Sequence, residues 1–585
     1  MRMAALPGNE MDKNQPIEGQ LVPPVEQLTS RSEWVLAAVL AVSLATVAVA
    51  PFIVLGNVSG HDVEFHLPSW IDAAQHWREG VPYPSWSGGG HYGFGDPRFV
   101  IYPPLSWIIG GLLALILPGA MLSGAYVWIC IALSVFAAYG LAREWLGRGA
   151  ALWTAGLYVT NPYMLLVVTH RCAYSELLAQ AGFPVALLFL LRVARSDSRG
   201  LRDLVPLALA FGWIWLSNVP AAVIASYALG FALLAVAIRG RSLHALVRGG
   251  MALGLGLGLA TFYILPAALE QHWIQSEDAF ATGYDIRANF LFNRSGDADQ
   301  VAFNRLVSEL ACAEMMLLAA ASIPALRWAC KAEGLRGEAR SGLPVLLGLA
   351  AFFSALLFRW TRPVWLLLPR FWMAQFPWRS LFVISLALAV SIVTASYAMQ
   401  RTRLWLGVAV AVWLALGGAI LKRAPWLPDD IHELIEAAHS QKGYVGVVDE
   451  FLPVGWIPGA WTQMRRASQP SMSLARRRGD GLRTTVSIWH TEEKRFTVET
   501  DRPARLRLHL LNFPAWHATL NGLPIMSQTD PDTGQMVISV PKGHSEVRIW
   551  FGPTPGRAAG VTVSLCVLGA LLMFARMKPN RGNSW

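Results

Sequence analysis

The stretch at 60–104 carries acidic and imidazole side chains at a density that could support acid–base chemistry or metal binding. Only 15% of the chain is charged, yet this stretch holds nine such groups: Asp62, Glu64, Asp72, Glu79, Asp96, His61, His66, His76 and His91. Apolar segments flank it on both sides, so it must lie at a membrane surface. We expect it to form the floor of an active site that faces away from the cytoplasm.

Asp62 lies a few residues beyond the first apolar segment, at the expected membrane–water boundary. Transfer of a group from a phosphate to a hydroxyl needs one side chain to deprotonate the hydroxyl and another group to neutralise the leaving phosphate. A carboxylate serves the first need, and Arg, Lys or a divalent cation such as Mg²⁺ or Mn²⁺ serves the second. The structural alternative is that Asp62 caps a helix, since Asp is a favourable N-cap residue.

His66 follows Asp62 by four residues, so the two share a face if the segment is helical. Such a pair suits acid–base work, and Asp62 and His66 are the predicted ligands if the site holds a metal. His61 and Glu64 compete for the same role. The alternative for His66 is a structural hydrogen bond within the loop.

Glu176 and Arg171 lie in THRCAYSELL, at the outer end of another apolar segment. An acid that enters a membrane helix is energetically costly and is therefore a functional candidate. We predict that Glu176 assists Asp62 and that Arg171 contacts substrate. The alternative is an Arg171–Glu176 ion pair that only ties two helices together.

Arg379 lies in QFPWRSLF at the outer mouth of a later apolar segment. The planar guanidinium group matches a phosphate bidentately, so Arg379 could hold a phosphate leaving group, with Trp378 beside it. The alternative is that Arg379 snorkels to the interface and that Trp378 is a belt aromatic.

The glycines of SGGGHYGFGDPRF do not form a phosphate cradle, because GxG does not continue to GxxG and no strand precedes it. We expect a flexible loop near the substrate. The residues predicted to bind substrate are Glu64, His91, Asp96, Arg98, Tyr102, Arg171, Trp378 and Arg379.

The composition indicates a membrane protein. Hydrophobic residues make up 54% of the 585 residues, and apolar runs recur at the length of about 20 residues that a spanning helix needs. The net charge of +10 comes from Arg clusters between these runs, which positive cytoplasmic loops explain better than nucleic-acid binding. The five cysteines show no CxxC spacing, so neither a metal cluster nor a disulfide framework is expected.

The order of segments predicts 12 or 13 transmembrane helices. Residues 1–30 are expected to be a disordered cytoplasmic tail, 31–421 a transmembrane domain whose first outer loop is 56–101, 558–576 a final span and 577–585 a basic cytoplasmic tail. The predicted apolar segments are 34–55, 102–118, 121–141, 149–168, 173–191, 203–217, 219–238, 249–269, 306–326, 343–358, 376–399, 404–421 and 558–576. The count stays open because 102–118 is either a span or a re-entrant or interfacial segment.

Residues 422–557 differ from the rest of the chain in their pattern of apolar and polar residues. TTVSIWH, KRFTVET, ARLRLHLL, MVISV and SEVRIWF alternate apolar and polar residues, and Asn521-Gly522 and Lys542-Gly543 supply turn chemistry. We predict an extracytoplasmic, β-sandwich-like domain tethered to the membrane at both ends.

Eight phrases, in order along the chain, resemble one family: GHDVEFH, WREGVPYPSW, GFGDPRFVIYPPL, NPYMLL, THRCAYSELLA, QFPWRSLF, NFPAWHATLNGLPI and VPKGHSEVRIWF. Together they resemble the bacterial integral membrane proteins called 6-pyruvoyl-tetrahydropterin synthase-related, although nothing resembles the soluble pterin enzyme. That group is similar to the GT-C superfamily of membrane glycosyltransferases, which use lipid-linked sugar donors. The resemblance implies that Asp62 is the acidic residue of the first outer loop, a base or metal ligand, and that Glu176 is a second acid.

The expected protein is a GT-C-like hexosyl- or pentosyltransferase of the bacterial inner membrane. It would move a sugar from a polyprenyl-phosphate donor to an envelope glycan, lipid or protein on the extracytoplasmic face. One alternative is a transporter or flippase of lipid-linked saccharides, although no inverted repeat is detected. The other alternative is a non-enzymatic scaffold whose β domain binds envelope polymers.

Overall fold

The computed structural model describes residues 31–195, 200–277, 284–331, 337–398, 402–440, 443–444, 451–453 and 482–577. The predicted tail at 1–30 and most of the one at 577–585 lie outside this part of the chain. The helices are α1 (Arg31–Val54), α2 (Val63–Arg78), α3 (Arg98–Ile101), α4 (Pro104–Ile116), α5 (Gly119–Arg143), α6 (Arg148–Val159), α7 (Pro162–Leu166), α8 (Tyr174–Arg195), α9 (Val205–Ser217), α10 (Val219–Gly240), α11 (Leu243–Leu259), α12 (Thr261–Glu270), α13 (Ala298–Lys331), α14 (Gly337–Leu356), α15 (Arg362–Leu367), α16 (Leu381–Ala398), α17 (Thr402–Arg423), α18 (Pro428–His439) and α19 (Pro555–Arg576).

The chain is a polytopic α-helical membrane protein with a C-terminal β domain, which confirms the predicted fold class. The described residues contain nine helical segments long and apolar enough to span a membrane. Two helix pairs, bent by 68° and 97°, raise the number to eleven if each pair is one span. The higher predicted count of 12 or 13 included α4 and α9, which have 13 residues each and are short of the length that a span needs.

The span from Arg148 to Arg171 is broken near its end, and the break positions Arg171. α6 ends at Val159, and the Asn161 side chain then accepts a hydrogen bond from Met164 N at 2.6 Å, which restarts the chain as α7. A π-turn at Val167–Arg171 follows, and Cys172 adopts a left-handed conformation with φ of 49°. This turn leaves Arg171 at the membrane boundary, directly before α8 begins.

Helix α2 lies between the membrane helices and the β domain. Trp70 and Trp77 pack against two glycines of α4. A Cβ atom on Gly110 would lie 2.1 Å from Cγ of Trp70, so only glycine permits this close approach. The spacing of Trp70 and Trp77, two turns apart on α2, thus places one face of the helix against the membrane domain.

The β domain consists of two antiparallel sheets around a shared apolar core. The strands are β1 (Arg483–Trp489), β2 (Glu493–Thr500), β3 (Ala504–Leu511), β4 (Trp516–Leu520), β5 (Leu523–Ile525), β6 (Gln528–Thr529), β7 (Gln535–Val540) and β8 (Gly543–Phe551). The first sheet has the order β1-β2-β8-β4-β5 and the second β3-β7-β6. All five strand patterns found in the sequence are strands, and Asn521-Gly522 is the turn between β4 and β5, with φ of 50° and 79°.

Candidate active site

Asp62 stands directly before α2, but its side chain makes no capping hydrogen bond. Its Oδ2 instead accepts a hydrogen bond from Nη2 of Arg171 at 3.0 Å. The two backbones are also joined, because Asp62 N–H donates to the Arg171 carbonyl at 2.8 Å. Gly60 makes this approach possible, since a Cβ atom there would lie 2.6 Å from the His170 carbonyl oxygen. The capping alternative for Asp62 is therefore wrong.

The Asp62–Arg171 pair joins an accessible carboxylate to a buried cation. The Arg171 side chain is 4% exposed, whereas that of Asp62 is 35% exposed. Burial alone would raise the pKa of Asp62, but Arg171 and, further away, His66 and Arg379 hold it below its usual value. The carboxylate is thus ionised at neutral pH and able to accept a proton.

Glu176 and Arg379 form a second ion pair, which is fully buried. Oε2 of Glu176 accepts from Nε of Arg379 at 3.0 Å. Its Oε1 accepts from the Tyr163 hydroxyl at 2.5 Å and from Gln180 Nε2 at 3.2 Å. Each carboxylate therefore has its own arginine, and no direct Arg171–Glu176 hydrogen bond forms among the described residues.

Phe376 lies against both guanidinium groups and brings the two ion pairs together. The Arg171 guanidinium carbon is 5.1 Å from the centre of the Phe376 ring, and that of Arg379 is 4.5 Å away. Trp378 stacks on Phe376 with centroids 4.8 Å apart and also lies 5.1 Å from Arg171. We call Asp62, Arg171, Glu176, Trp378 and Arg379, with Phe376 between them, the Asp62 cluster.

Two hydrogen-bond donors in the Asp62 cluster are buried without a partner among the described residues. They are Nη1 of Arg171 and Nε1 of Trp378. Buried polar atoms are almost always paired, because an unpaired one costs roughly 1–3 kcal/mol. Each of the two, a cation and an indole N–H, is able to donate a hydrogen bond to an anionic oxygen.

His66 lies one turn along α2 from Asp62, and its backbone N–H donates to the Asp62 carbonyl at 3.1 Å. It is 1% exposed and surrounded by rings, with centroid distances of 5.6 Å to Tyr174 and 6.0 Å to Tyr102. Burial lowers the pKa of His66 to about 4, so the ring is neutral at pH 7. Among the described residues no group of three or more His, Cys, Asp or Glu side chains could hold a metal ion.

His91, Asp96 and Arg98 form a separate buried group, which we call the Asp96 network. Asp96 Oδ2 accepts from His91 Nδ1 at 2.9 Å and from Arg98 Nη2 at 2.6 Å, and its Oδ1 accepts from Arg98 Nε at 2.8 Å. Arg98 Nη1 donates to Ser69 Oγ at 3.1 Å. None of these bonds reaches the Asp62 cluster.

Tyr102 and Glu64, also predicted to bind substrate, lie outside both groups. The Tyr102 hydroxyl is hydrogen-bonded to Ser175 Oγ at 2.6 Å, one residue before Glu176. Glu64 lies on the exposed face of α2. Partial loss of solvent around its carboxylate, together with the nearby Asp430, raises its pKa. Their contact with substrate stays a prediction.

Sequence reasoning did not assign a role to three residues that hold the Asp62 cluster together: Tyr163, Gln375 and Phe376. Tyr163 lies in the NPYMLL phrase, but its bond to Glu176 depends on the break between α6 and α7. Gln375 accepts from Arg379 Nη1 at 2.8 Å and has φ of 60° and ψ of −54°, a costly conformation for a residue with a side chain. Arg379 is thus held from both sides, by Glu176 and by this strained turn.

The β domain is docked on the 60–104 loop. Glu492, between β1 and β2, accepts from the backbone N–H groups of Ser85 at 2.5 Å and Trp86 at 3.3 Å. Glu79 accepts in return from Thr491 N at 2.8 Å. Further along, Leu511 N–H donates to the Phe94 carbonyl at 3.0 Å. The β domain therefore fixes the 60–104 loop, including α2, the helix that begins directly after Asp62.

Neither a family model nor a curated protein matches the chain, so the resemblance to the 6-pyruvoyl-tetrahydropterin synthase-related proteins stays a prediction. Several solved structures are similar to it, among them the following three. One is arabinofuranosyltransferase AftD from Mycobacteria in a mutant form, with a TM-score of 0.44 and 17% identity over 68% of this chain and 29% of that chain. The AftD structure without this mutation has a TM-score of 0.41 and 18% identity, over 76% of this chain and 29% of that chain.

The third is the apo Archaeoglobus fulgidus oligosaccharyltransferase, with a TM-score of 0.37 and 13% identity over 75% of this chain and 59% of that chain. The chain thus spans less than a third of the arabinofuranosyltransferase. Function has to be inferred from the residues of the site itself.

Proposed function

We propose that this chain is a membrane glycosyltransferase of the GT-C type. It moves a sugar from a polyprenyl-phosphate-linked donor to a cell-envelope acceptor on the extracytoplasmic face of a bacterial cytoplasmic membrane. One observation carries the proposal: the accessible, ionised carboxylate of Asp62 is held beside Arg171, whose buried Nη1 has no partner among the described residues. A base and an anion site are thereby joined in one ion pair at the end of a membrane span.

In the proposed reaction Asp62 accepts the proton of the acceptor hydroxyl as the new glycosidic C–O bond forms. The C–O bond between the sugar and the donor phosphate breaks, and the bonding electrons leave with the phosphate. Arg171 Nη1 and Trp378 Nε1 donate to the phosphate oxygens, where negative charge develops. The leaving group is a lipid phosphate, which suits a site at the boundary where the span from Arg148 to Arg171 ends.

Glu176 and Arg379 stabilise this arrangement. Glu176 is fully buried with both oxygens engaged, so we assign it to the positioning of Arg379 and not to proton transfer. With two carboxylates and two arginines, the Asp62 cluster is neutral before a donor binds. A bound phosphate adds negative charge, and a divalent cation held by Asp62 and that phosphate would offset it.

The test measures donor consumption by the purified full-length protein in nanodiscs. A panel of polyprenyl-phosphate sugars would be offered to the wild type and to Asp62→Asn, with and without Mg²⁺ or Mn²⁺. Asp429→Asn is the matched control, because it makes the same change at an exposed position of α18. Turnover that is lost in Asp62→Asn and kept in the control supports the proposal.

Full turnover in Asp62→Asn would remove Asp62 from the mechanism. Donor binding without turnover in the wild type would favour the transporter alternative. No binding of any donor on the panel would count against a polyprenyl-phosphate substrate.

A further inference from the structure

A groove runs between α10 and α14, remote from the Asp62 cluster. Its volume is about 420 Å³. One wall belongs to α10 and is formed by Phe231, Ala235 and Arg239. The other wall belongs to α14 and is formed by Pro344, Val345, Gly348, Leu349 and Phe352. Apart from Arg239 all of these residues are apolar, and no contact of the proposed mechanism involves them.

Small residues open the groove and large ones close one end. Ala235 and Gly348 lie midway along its walls, and a Cβ atom built on Gly348 would meet no other atom within 4 Å. Phe231 and Phe352 meet edge to face at 5.0 Å and close the end nearer the middle of the membrane. Phe231, Ala235 and Arg239 follow each other at four-residue intervals, so the groove extends along α10 for about 12 Å.

Arg239 stands at the other end of the groove. It is exposed, and no carboxylate of the described residues lies within ion-pair distance of it. α10 begins beside the Asp62 side of the protein, where Asn218 donates to Ser175 Oγ at 3.0 Å. The helix has 22 residues and is therefore about 33 Å long, which places Arg239 at the opposite membrane boundary.

We propose that this groove binds a phospholipid with an anionic headgroup. One acyl chain lies along Ala235 and Gly348, and the headgroup phosphate contacts the guanidinium of Arg239. An apolar groove open to the hydrocarbon suits an acyl chain, and an unpaired arginine at the boundary is complementary to an anionic headgroup. Basic pockets between transmembrane helices recognise anionic lipid headgroups in this way.

The test uses native mass spectrometry of the full-length protein released from detergent. Phosphatidylglycerol and phosphatidylcholine with identical acyl chains are compared. The wild type should retain one phosphatidylglycerol molecule in preference to phosphatidylcholine. Gly348→Leu should fill the groove and remove retention of both lipids. Arg239→Gln should lower the affinity for phosphatidylglycerol about fivefold and leave phosphatidylcholine unchanged.

Two matched controls separate these effects from general changes at a lipid-facing surface. Gly407→Leu makes the same substitution at an exposed glycine of α17 that also has open space around it. Arg327→Gln removes an exposed arginine from α13. Neither control should change retention. If Gly348→Leu does not fold, Ala235→Leu fills the groove from the other wall.

Equal retention of the two lipids by the wild type would overturn the proposal. Unchanged retention in both groove-filling variants would do the same, because the lipid would then lie elsewhere. The readout is lipid mass on the protein, so the result does not depend on whether the glycosyltransferase assignment is correct.

Discussion

The Asp62 cluster and the Asp96 network contain the same kinds of residue but differ in how many hydrogen bonds their carboxylates accept. Each has a carboxylate paired with a buried arginine. Asp96 is fully buried, and both its oxygens accept hydrogen bonds from Arg98. Asp62 is partly exposed and receives one side-chain hydrogen bond, from an arginine that keeps an unpaired N–H.

Because of this difference we assign a structural role to the Asp96 network and the proposed reactive role to the Asp62 cluster. The Asp96 carboxylate and the Arg98 guanidinium satisfy each other through several hydrogen bonds, and such a buried pair rigidifies the chain. The Asp62 cluster lacks partners at positions where a substrate oxygen could supply them. The density of acids and histidines at 60–104 is therefore a poor guide to function, since most of them hold the loop together.

The largest expected effect is on turnover in Asp62→Asn. Removal of a general base costs about 10²- to 10⁴-fold in rate. The unfolding temperature should fall less than in Asp96→Asn, because the Asp62 side chain is 35% exposed and an Asn oxygen there can still accept from the buried Arg171. Donor consumption and thermal unfolding on the same sample check this. A large drop in the unfolding temperature would place Asp62 with the structural carboxylates and break the comparison.

Asp96→Asn should show the opposite profile. Its charge is the main partner of buried Arg98, and leaving such a cation unpaired costs about 3–5 kcal/mol of stability. Thermal unfolding in detergent would measure the loss, with Asp429→Asn as the control. If Asp96→Asn keeps its stability but loses turnover, the Asp96 network takes part in the reaction after all.

The third prediction concerns pH and the position of His66. Its pKa is lowered from 6.5 to about 4 in the folded protein, so the unfolded chain binds the extra proton first as the pH falls. Stability is therefore unaffected above pH 6.5 and declines below it, by about 3 kcal/mol when pH 4 is reached.

His66→Phe should remove this part of the acid sensitivity, because a phenyl ring fits the same aromatic surroundings without a titrating nitrogen. The unfolding temperature between pH 7 and 4 would be compared with that of the wild type, with the exposed His432→Gln as control. If the unfolding temperature of His66→Phe falls with pH as much as that of the wild type, His66 is not the buried neutral group described above. It would then again be a candidate for acid–base chemistry beside Asp62.

The smallest effect is expected at the contact between the β domain and the 60–104 loop. Glu492→Gln keeps the shape but weakens two hydrogen bonds to backbone N–H groups, for about 1–3 kcal/mol. Hydrogen exchange at Ser85 and Trp86 should accelerate, while turnover changes less. Glu499→Gln, on the exposed face of β2, serves as the control. Unchanged exchange in Glu492→Gln would mean that other contacts hold the loop.

Residue types alone predicted the members of the Asp62 cluster but not their pairing. Asp62, Arg171, Glu176 and Arg379 all stood out as charges beside apolar segments. The predicted alternative pairing of Arg171 with Glu176 was wrong because the π-turn before Cys172 brings Arg171 to Asp62. Such a turn has no periodicity that a sequence could show.

The surroundings of His66 also depend on the tertiary structure. Its four-residue spacing from Asp62 is that of one helical turn, but the spacing does not show what each side chain contacts. Asp62 precedes α2, and its side chain extends to Arg171 while His66 is buried among aromatic rings. The strands β5 and β6 were not predicted because they have three and two residues, too few for alternation to be visible.

The docking of the β domain has a consequence for the biosynthesis of the protein. Ser85 and Glu492 are 407 residues apart in the chain. At roughly 5–20 residues per second, a ribosome needs about 20 to 80 s to make the second after the first. For that time Trp86 and Phe94 lack the partners that bury them, and the loop should be open to protease.

Pulse-labelled cells would show this interval as a cleavage that disappears once the C-terminal strands have been made. The 60–104 loop, which includes Asp62, thus becomes rigid only when translation is nearly complete. Incomplete chains would be inserted in the membrane without being active.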